Sequence, residues 1–424
     1  MEATPAMRSG GLSSLAHRAL ERAGLGPIRD RVLSGERLSD GDALRLLEAR
    51  DLAALGALAD LVRGRRHGDL VFYNKNVHLN FTNVCTAGCR FCSFSRKPGA
   101  EGGYTFSVEQ AVERVLSKRD LGITEVHIVN GLHPDLPWEF YLEVPRRIRA
   151  AWPELRIKAY SAVEVHFFAR RFGKGLEGVL RALRDAGVDT LPGGGAEIFA
   201  PRVRRKLCPD KASAEEWLAV HRAAHRLGMR TNATMLYGTV ESLAERVDHL
   251  SRLRALQDET GGFQVFIPLA FHPEHNPMGK ALPRPTGLDG LRTLAAARLY
   301  LDNFDHLKAY WVTLGERLAQ AALSFGVDDL DGTVIEERIY HMAGARTPQA
   351  LSEPRLHELI RAAGRVPAER DSLYRVLRVH RGGSCSSPPS PRSRGEGRGE
   401  GPAATEDSPH PTPLPLRGRG NDRA

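Results

Sequence analysis

The sequence predicts an α/β fold: a (β/α)8 barrel of the TIM type, complete or nearly so, with N- and C-terminal helical extensions and a disordered C-terminal tail. Three observations carry the prediction. From about residue 71, short apolar, β-branched runs alternate with longer amphipathic helical patterns. The runs number eight. None is followed by the GxGxxG or phosphate loop of a doubly wound sheet, and the triple glycine 193–195 lacks a following Lys-Ser/Thr. Alternation of strand and helix implies parallel strands, because parallel neighbours need crossover connections, and eight such units close a barrel.

Residues 1–70 read as helices. In SDGDALRLLEARDLAALGALADLVRGRR, Ser39 is the expected N-cap, Asp42 follows three residues on, and Leu and Ala recur at helical spacing, as in a packing helix. Strands are expected in VHLNFTNV (77–84), EVHIVN (125–130), RIKAYSA (156–162), DTLPG (189–193), RTNATML (230–236), FQVFIPLAF (263–271) and HLKAYWV (306–312), with a weaker eighth in VDDLDGTV (327–334). Stretches such as SVEQAVERVLSKRDLG and SLAERVDHLSRLRALQDETGG supply the intervening helices. The barrel is expected over 71–335, and 336–380 reads as helical and closes it. Half of residues 381–424 are Gly, Pro or Ser, and Leu414 and Leu416 are the large apolar residues there. Such a segment cannot bury enough surface to offset its ordering entropy, so disorder is expected.

Composition narrows the class. In 424 residues, 60 basic and 51 acidic side chains give +9 with no long single-sign block and no basic stripe interleaved with aromatics, so nucleic-acid binding is not indicated. No run approaches the roughly 18 apolar residues of a membrane span, and the N-terminus lacks the apolar centre of a signal peptide. The five cysteines are an odd number, and three of them fall within eight residues, which suits a metal centre in a reducing compartment better than a disulfide framework. A cytoplasmic protein is expected.

The informative segment is HLNFTNVCTAGCRFCSFSRKPG, where the first expected barrel strand runs into Cys85-x-x-x-Cys89-x-x-Cys92. Three thiolates at this spacing suit three irons of a [4Fe–4S] cluster and leave the fourth iron open. The loop leaves the strand at its C-terminal end, where barrel active sites are built. A structural zinc site would need a distant fourth ligand such as Cys208, and a plain electron-transfer cluster would normally have four cysteines.

The spacing with Phe91 before the last cysteine resembles the radical S-adenosylmethionine (SAM) superfamily. Further stretches narrow the likeness: NGLHPDLPWEFY (130–141), KAYSAVEV (158–165), LPGGGAEIF (191–199), NATMLYGTVES (232–242), DETGGFQVFIPLAFHPEHNPM (258–278), HLKAYWV (306–312) and SFGVDDLDGTVIEERIYHMAGA (324–345). Together they resemble the aminofutalosine synthases of the futalosine route to menaquinone, over about residues 40–375. The resemblance implies a [4Fe–4S] cluster on Cys85, Cys89 and Cys92, and SAM consumed as co-substrate. It also implies the substrate 3-[(1-carboxyvinyl)oxy]benzoate and an electron donor such as flavodoxin or ferredoxin. In the implied reaction the 5'-deoxyadenosyl radical adds to the enol ether, the aryl group migrates, and carboxylate is lost, giving aminodeoxyfutalosine.

Carried over residue by residue, the resemblance places Phe91 near adenine or the cluster and Gly131 at the SAM methionyl amine. Glu164 becomes a polar SAM contact, its alternative being a surface acid on the next helix, and Tyr237, Gly238 and Glu241 lie beside the adenosine. This chain departs from the family's expected pattern in having Asn130 where a second glycine is usual and Thr239 where a histidine is common. A dicarboxylate substrate calls for cations or donors at the barrel mouth, and Arg96, His133, His272 and Lys308 fall at or just beyond expected strand ends. Cys208 reads as an ordinary thiol. Related readings are the dehypoxanthine futalosine cyclase and the radical subunit of FO synthase; a more distant one is a non-enzymatic iron–sulfur electron carrier.

Overall fold

The structure, a computed structural model, describes residues 11–381; of the segment 381–424 that the sequence marks for disorder, all but Arg381 lies outside the described residues. Four helices open the described chain: α1 (Ser14–Arg22), α2 (Gly26–Ser34), α3 (Asp40–Glu48) and α4 (Leu52–His67). α3 begins where the sequence places it: the Ser39 hydroxyl accepts from the Asp42 N–H while the Asp42 carboxylate accepts from the Ser39 N–H. α3 and α4 pack on the helix Gly287–Tyr300.

The strands are β1 (Leu70–Asn74), β2 (Asn76–Leu79), β3 (Glu125–Ile128), β4 (Arg156–Ala159), β5 (Thr190–Leu191), β6 (Arg230–Tyr237), β7 (Phe263–Ala270), β8 (His306–Leu307), β9 (Asp329–Gly332), β10 (Val366–Arg370) and β11 (Val376–Val379). β2 to β8 pair in sequence order, all parallel, as a curled seven-stranded sheet. The segment around β9 continues it toward closure. Ala309 N donates to Asp329 O (2.9 Å) on one side, while Ile335 N donates to Asn76 O (3.0 Å) and His78 N to Ile335 O (2.8 Å) on the other. The outward faces carry Val126, Ile157 and Phe266, all fully buried beneath the helices, as parallel strands covered on both faces require.

Three expectations need correction. Residues 336–380 are not wholly helical: after the helices Ile339–Met342 and Glu353–Ala362 the chain forms β10 and β11. These join β1 and β9 in a second sheet, in the order β11–β10–β1–β9, in which Leu70 lies opposite Val366. β1 is a further strand, ahead of the expected first one. The Ala-Glu-Arg composition of β10 favours helix locally, but pairing with a partner at the other end of the chain overrides that preference. The expected strand over 306–312 is also cut short at Leu307, and its second half becomes the helix Trp311–Leu314.

Several histidines are locked neutral by this packing. Burial lowers His67, which stacks on His306, to about 4, and does the same to His225 beneath β7. Their folded pKa lies below the unfolded value near 6.5, so the unfolded chain takes up protons first as pH falls. Stability is therefore complete above pH 6.5 and is lost on the way down to pH 4. About 2–3 kcal/mol per histidine should disappear by pH 4.5, read as a fall in the urea midpoint between pH 7 and 4.5.

Candidate active site

β2 ends at Leu79, and the chain that follows is held by its backbone. Cys85 N donates to Arg96 O (2.8 Å), Arg96 N to Asn83 O (2.8 Å), Thr86 N to Leu132 O (3.0 Å) and Arg90 N to Leu207 O (2.8 Å). The loop thus presents Cys85, Cys89 and Cys92 on the wall of a cavity of about 260 Å³ at the C-terminal ends of the strands. Cys85 Sγ receives N–H groups from Ala87 and Leu132, yet burial raises its thiol, and burial pushes Cys89 up to about 12. Such thiols ionise only if cations face them.

One cation is Lys211, which the sequence reading passed over because it lies in an irregular turn between two helices. Its Nζ is 2.5 Å from Glu197 Oε1 and 5.4 Å from the Phe91 ring centre. Burial works against the ammonium, but Cys89, Glu197 and Cys208 outweigh it and raise its pKa. The remaining charge compensation fits iron. The donors are three soft sulfurs, and among the described residues lining the cavity these are the only cysteines. Cys208, 2% exposed, sits behind Cys89 and does not line the cavity.

Gly131 and Glu164 line the same cavity. Gly131 N donates to Thr82 O (3.0 Å), which brings the backbone after β3 against the chain leading to the cysteines. Glu164 is not a surface acid: it is 2% exposed, and four groups hold its carboxylate. Oε1 accepts from Asn130 N (3.0 Å) and Nδ2 (3.3 Å); Oε2 accepts from Ser161 N (2.8 Å) and Oγ (2.6 Å), the capping box of the helix after β4. Burial nevertheless raises it to about 7. Asn130 has a structural task that a glycine could not perform, since its Oδ1 accepts from Phe81 N (2.7 Å) at the exit of β2. Asn130→Gly should strand that donor and cost about 1–3 kcal/mol, read as a lower thermal midpoint and weaker iron retention.

The other seven expected site residues do not line the cavity, and one of them, Tyr237 at the end of β6, is buried at 1% exposure. Arg96 donates to the Ser93 and Ser95 carbonyls (2.9 and 3.0 Å) and braces the cysteine loop from within. The ring of His133 accepts from Asp135 N (3.0 Å). His272, 3% exposed, is held between Thr313 O (3.0 Å) and the Arg284 guanidinium (3.0 Å). Lys308 lies beneath the cavity floor, bonded to Asp331 (2.9 Å), which does line it. Gly238, at φ +85°, starts the turn after β6, and Glu241 clasps that turn. One Glu241 oxygen accepts from Gly238 N (2.6 Å) and Arg246 Nε (3.0 Å), the other from Thr239 N (2.8 Å) and Oγ1 (2.6 Å). Thr239 thus serves the turn through its hydroxyl. Residues the sequence reading missed include His78, His127, Tyr310 and Glu337, all on the cavity wall. For the first two the strand alternation in VHLN and EVHIVN was the available signal.

The chain matches the radical SAM superfamily over residues 79–253 and the CofH/MqnC C-terminal region over residues 260–382. An aminodeoxyfutalosine synthase from Thermus thermophilus is 51% identical over 356 residues, covering 83% of this chain and 96% of that one. One from Streptomyces coelicolor is 46% identical over 375 residues, covering 86% and 97%. Among solved structures, the FeFe-hydrogenase maturase HydG from Carboxydothermus hydrogenoformans superposes with a TM-score of 0.65 at 18% identity, covering 85% of this chain and 82% of that one, a likeness of fold.

Proposed function

The chain belongs to the aminodeoxyfutalosine synthases of the radical SAM superfamily, and on that premise we propose that it joins the 5'-deoxyadenosyl group of SAM to 3-[(1-carboxyvinyl)oxy]benzoate, giving aminodeoxyfutalosine. The observation that carries the reading is the meeting of three cysteines, Gly131 and Glu164 on one cavity wall. When bound, a [4Fe–4S] cluster supplies the electron that cleaves SAM to methionine and the deoxyadenosyl radical.

The residues of the chain bind, orient and exclude water. Cys85, Cys89 and Cys92 hold the cluster, and the loop hydrogen bonds fix their spacing. Phe91, Gly131 and Glu164 form the SAM wall, with the Glu164 carboxylate holding the Asn130–Gly131 backbone in place through Asn130 N. Gly238 and Glu241 keep the turn after β6 rigid. An electron donor such as flavodoxin or ferredoxin completes the system. The identities to the synthases favour this reading over the cyclase, the FO synthase subunit and a simple electron carrier. Among the described residues no helix is long and apolar enough to cross a membrane.

The test is anaerobic reconstitution followed by incubation with dithionite, SAM and the enol ether, with products read by mass spectrometry. A product containing both adenosyl and aryl parts is expected. Formation of 5'-deoxyadenosine and methionine alone would overturn the substrate, and intact SAM over a loaded cluster would overturn the radical reading itself.

A further inference from the structure

The floor of the cavity is built from charged groups matched pair by pair. Lys158 meets Glu125 (2.7 Å), Lys308 meets Asp331 (2.9 Å), Arg370 meets Asp329 (2.7 Å) and His341 meets Glu337 (2.8 Å). His78 and His127 stand outside this matching. They are register partners on β2 and β3, their ring centres are 4.6 Å apart, and both line the cavity. His78 is 8% exposed, and the Nε2 atoms of both rings are buried without a hydrogen-bond partner among the described residues. Two neighbouring imidazoles, His78 buried and His127 half-buried, whose buried Nε2 atoms have unmet hydrogen-bonding capacity in a ligand cavity, are costly unless a ligand engages them.

Depth indicates what that ligand presents. At about 3.3 Å per strand residue, His78 lies about 7 Å deeper than Asn80, where the chain leaves the strand for the cysteine loop. On the function proposed above, the enol ether must lie toward the mouth, beside the cysteines and the SAM wall, so the opposite end of the substrate points to the floor. That end is the ring carboxylate, which the reaction retains. Val129, Ile267 and Leu269 line the cavity and offer the apolar surface an aryl ring needs. We infer that His78 and His127 together bind the ring carboxylate of the substrate, one N–H from each imidazole to the carboxylate oxygens.

The charge state agrees with this geometry. Burial lowers both imidazoles, His127 further under the influence of His78, so each is neutral and carries one N–H. The lysines beneath are already engaged by carboxylates, and the acids that act on the pair, Glu337, Asp331 and Glu125, are met by His341, Lys308 and Lys158. The floor therefore neither repels an incoming carboxylate nor offers it another free cation among the described residues lining it. His78 and His127 are specificity-determining residues in this assignment, remote from the reacting atoms.

The assignment rests on the proposed reaction, and the test separates the two. Wild type, His78→Leu and His127→Leu are compared on the dicarboxylate and on 2-phenoxyacrylate, which lacks the ring carboxylate, with SAM and dithionite. Wild type should prefer the dicarboxylate by about 100-fold in kcat/KM, as expected for two hydrogen bonds to a charged group. Each Leu variant should lose about 10-fold or more on the dicarboxylate, chiefly through KM, and change by less than about 3-fold on the analogue. His78→Gln and His127→Gln, which keep a donor, should recover most of the preference. The SAM-bound cluster's electron paramagnetic resonance spectrum should be unchanged throughout. If the Leu variants cannot be loaded with cluster, the Gln pair decides: a Gln variant that loses the dicarboxylate and the analogue by the same factor overturns the assignment. An equal loss on both substrates in the Leu variants does the same while leaving the reaction intact. A wild type that cleaves SAM but makes no aryl product from the dicarboxylate overturns the reaction, and this assignment with it.

Discussion

Cys85→Ala, Cys89→Ala and Cys92→Ala should each abolish SAM cleavage, lowering product formation by more than about 10⁴-fold, because no uncatalysed route to the deoxyadenosyl radical competes. The expected mechanism is loss of cluster, with no loss of fold. The loop is held by bonds from Cys85 N, Thr86 N, Arg90 N and Arg96 N, which are backbone donors that survive truncation of the thiols. Far-ultraviolet circular dichroism of the cluster-free variants should therefore match that of cluster-free wild type while iron content falls. Cys208→Ala is the contrast. Cys208 is buried behind Cys89 and outside the cavity, so this variant should keep its iron and most of its activity. Iron lost in Cys208→Ala and kept in Cys92→Ala would overturn the ligand assignment.

Gly131→Ala is expected to be nearly as damaging, for a steric reason. A Cβ at this position would overlap the Val84 carbonyl oxygen and lie 2.8 Å from Val84 C and 3.0 Å from Asn83 C. These are backbone atoms immediately before Cys85, and they cannot turn aside as a side chain would. Either β3's exit or the approach to the cysteines must move, at a cost of about 1–3 kcal/mol or more. Iron content should fall by at least half, and the remaining activity should show a raised KM for SAM. Gly194→Ala provides the control on the same cavity. Its nearest neighbour is Ser161 Cβ at 3.9 Å, so fold and iron content should not change. Equal iron loading in Gly131→Ala and wild type would show that the loop has more freedom than its hydrogen bonds indicate.

The parts of the fold legible in the sequence were those whose signal is local. β3, β4, β6 and β7 are β-branched runs bounded by turns, and the Ser39 capping box is a four-residue pattern; all are where the sequence puts them. β1 and β10 were not legible, because each pairs with strands from the other end of the chain, β1 with β9 and β10 and β10 with β1, and the Ala-Glu-Arg run of β10 favours helix locally. The site divides in the same way. Cys85, Cys89 and Cys92 could be found by spacing, and Gly131 and Glu164 by resemblance. Lys308 and His272 lie one and two residues beyond β8 and β7, and His133 five beyond β3, but position near a strand end does not say where a side chain points. The ring of His272 is taken by Thr313 O and Arg284, and the ammonium of Lys308 by Asp331, three partners 12 to 41 residues away along the chain. Lys211 carried no signal at all, since its importance depends on Glu197 and Phe91 being brought to it by the fold.

The pairing of Leu70–Tyr73 with Val366–Glu369 bears on how the chain reaches its native state. During synthesis β1 emerges early and must wait for almost the whole barrel before its partner leaves the ribosome. Contacts of such sequence separation slow folding, and a waiting apolar strand edge is a site of misassociation. Docking of β10 along β1 also carries Arg370 to Asp329 and Ser372 to Glu125 beneath the barrel. Nascent chains ending before Val366 therefore leave one edge of β1 unpaired and the buried Asp329 without its Arg370 partner.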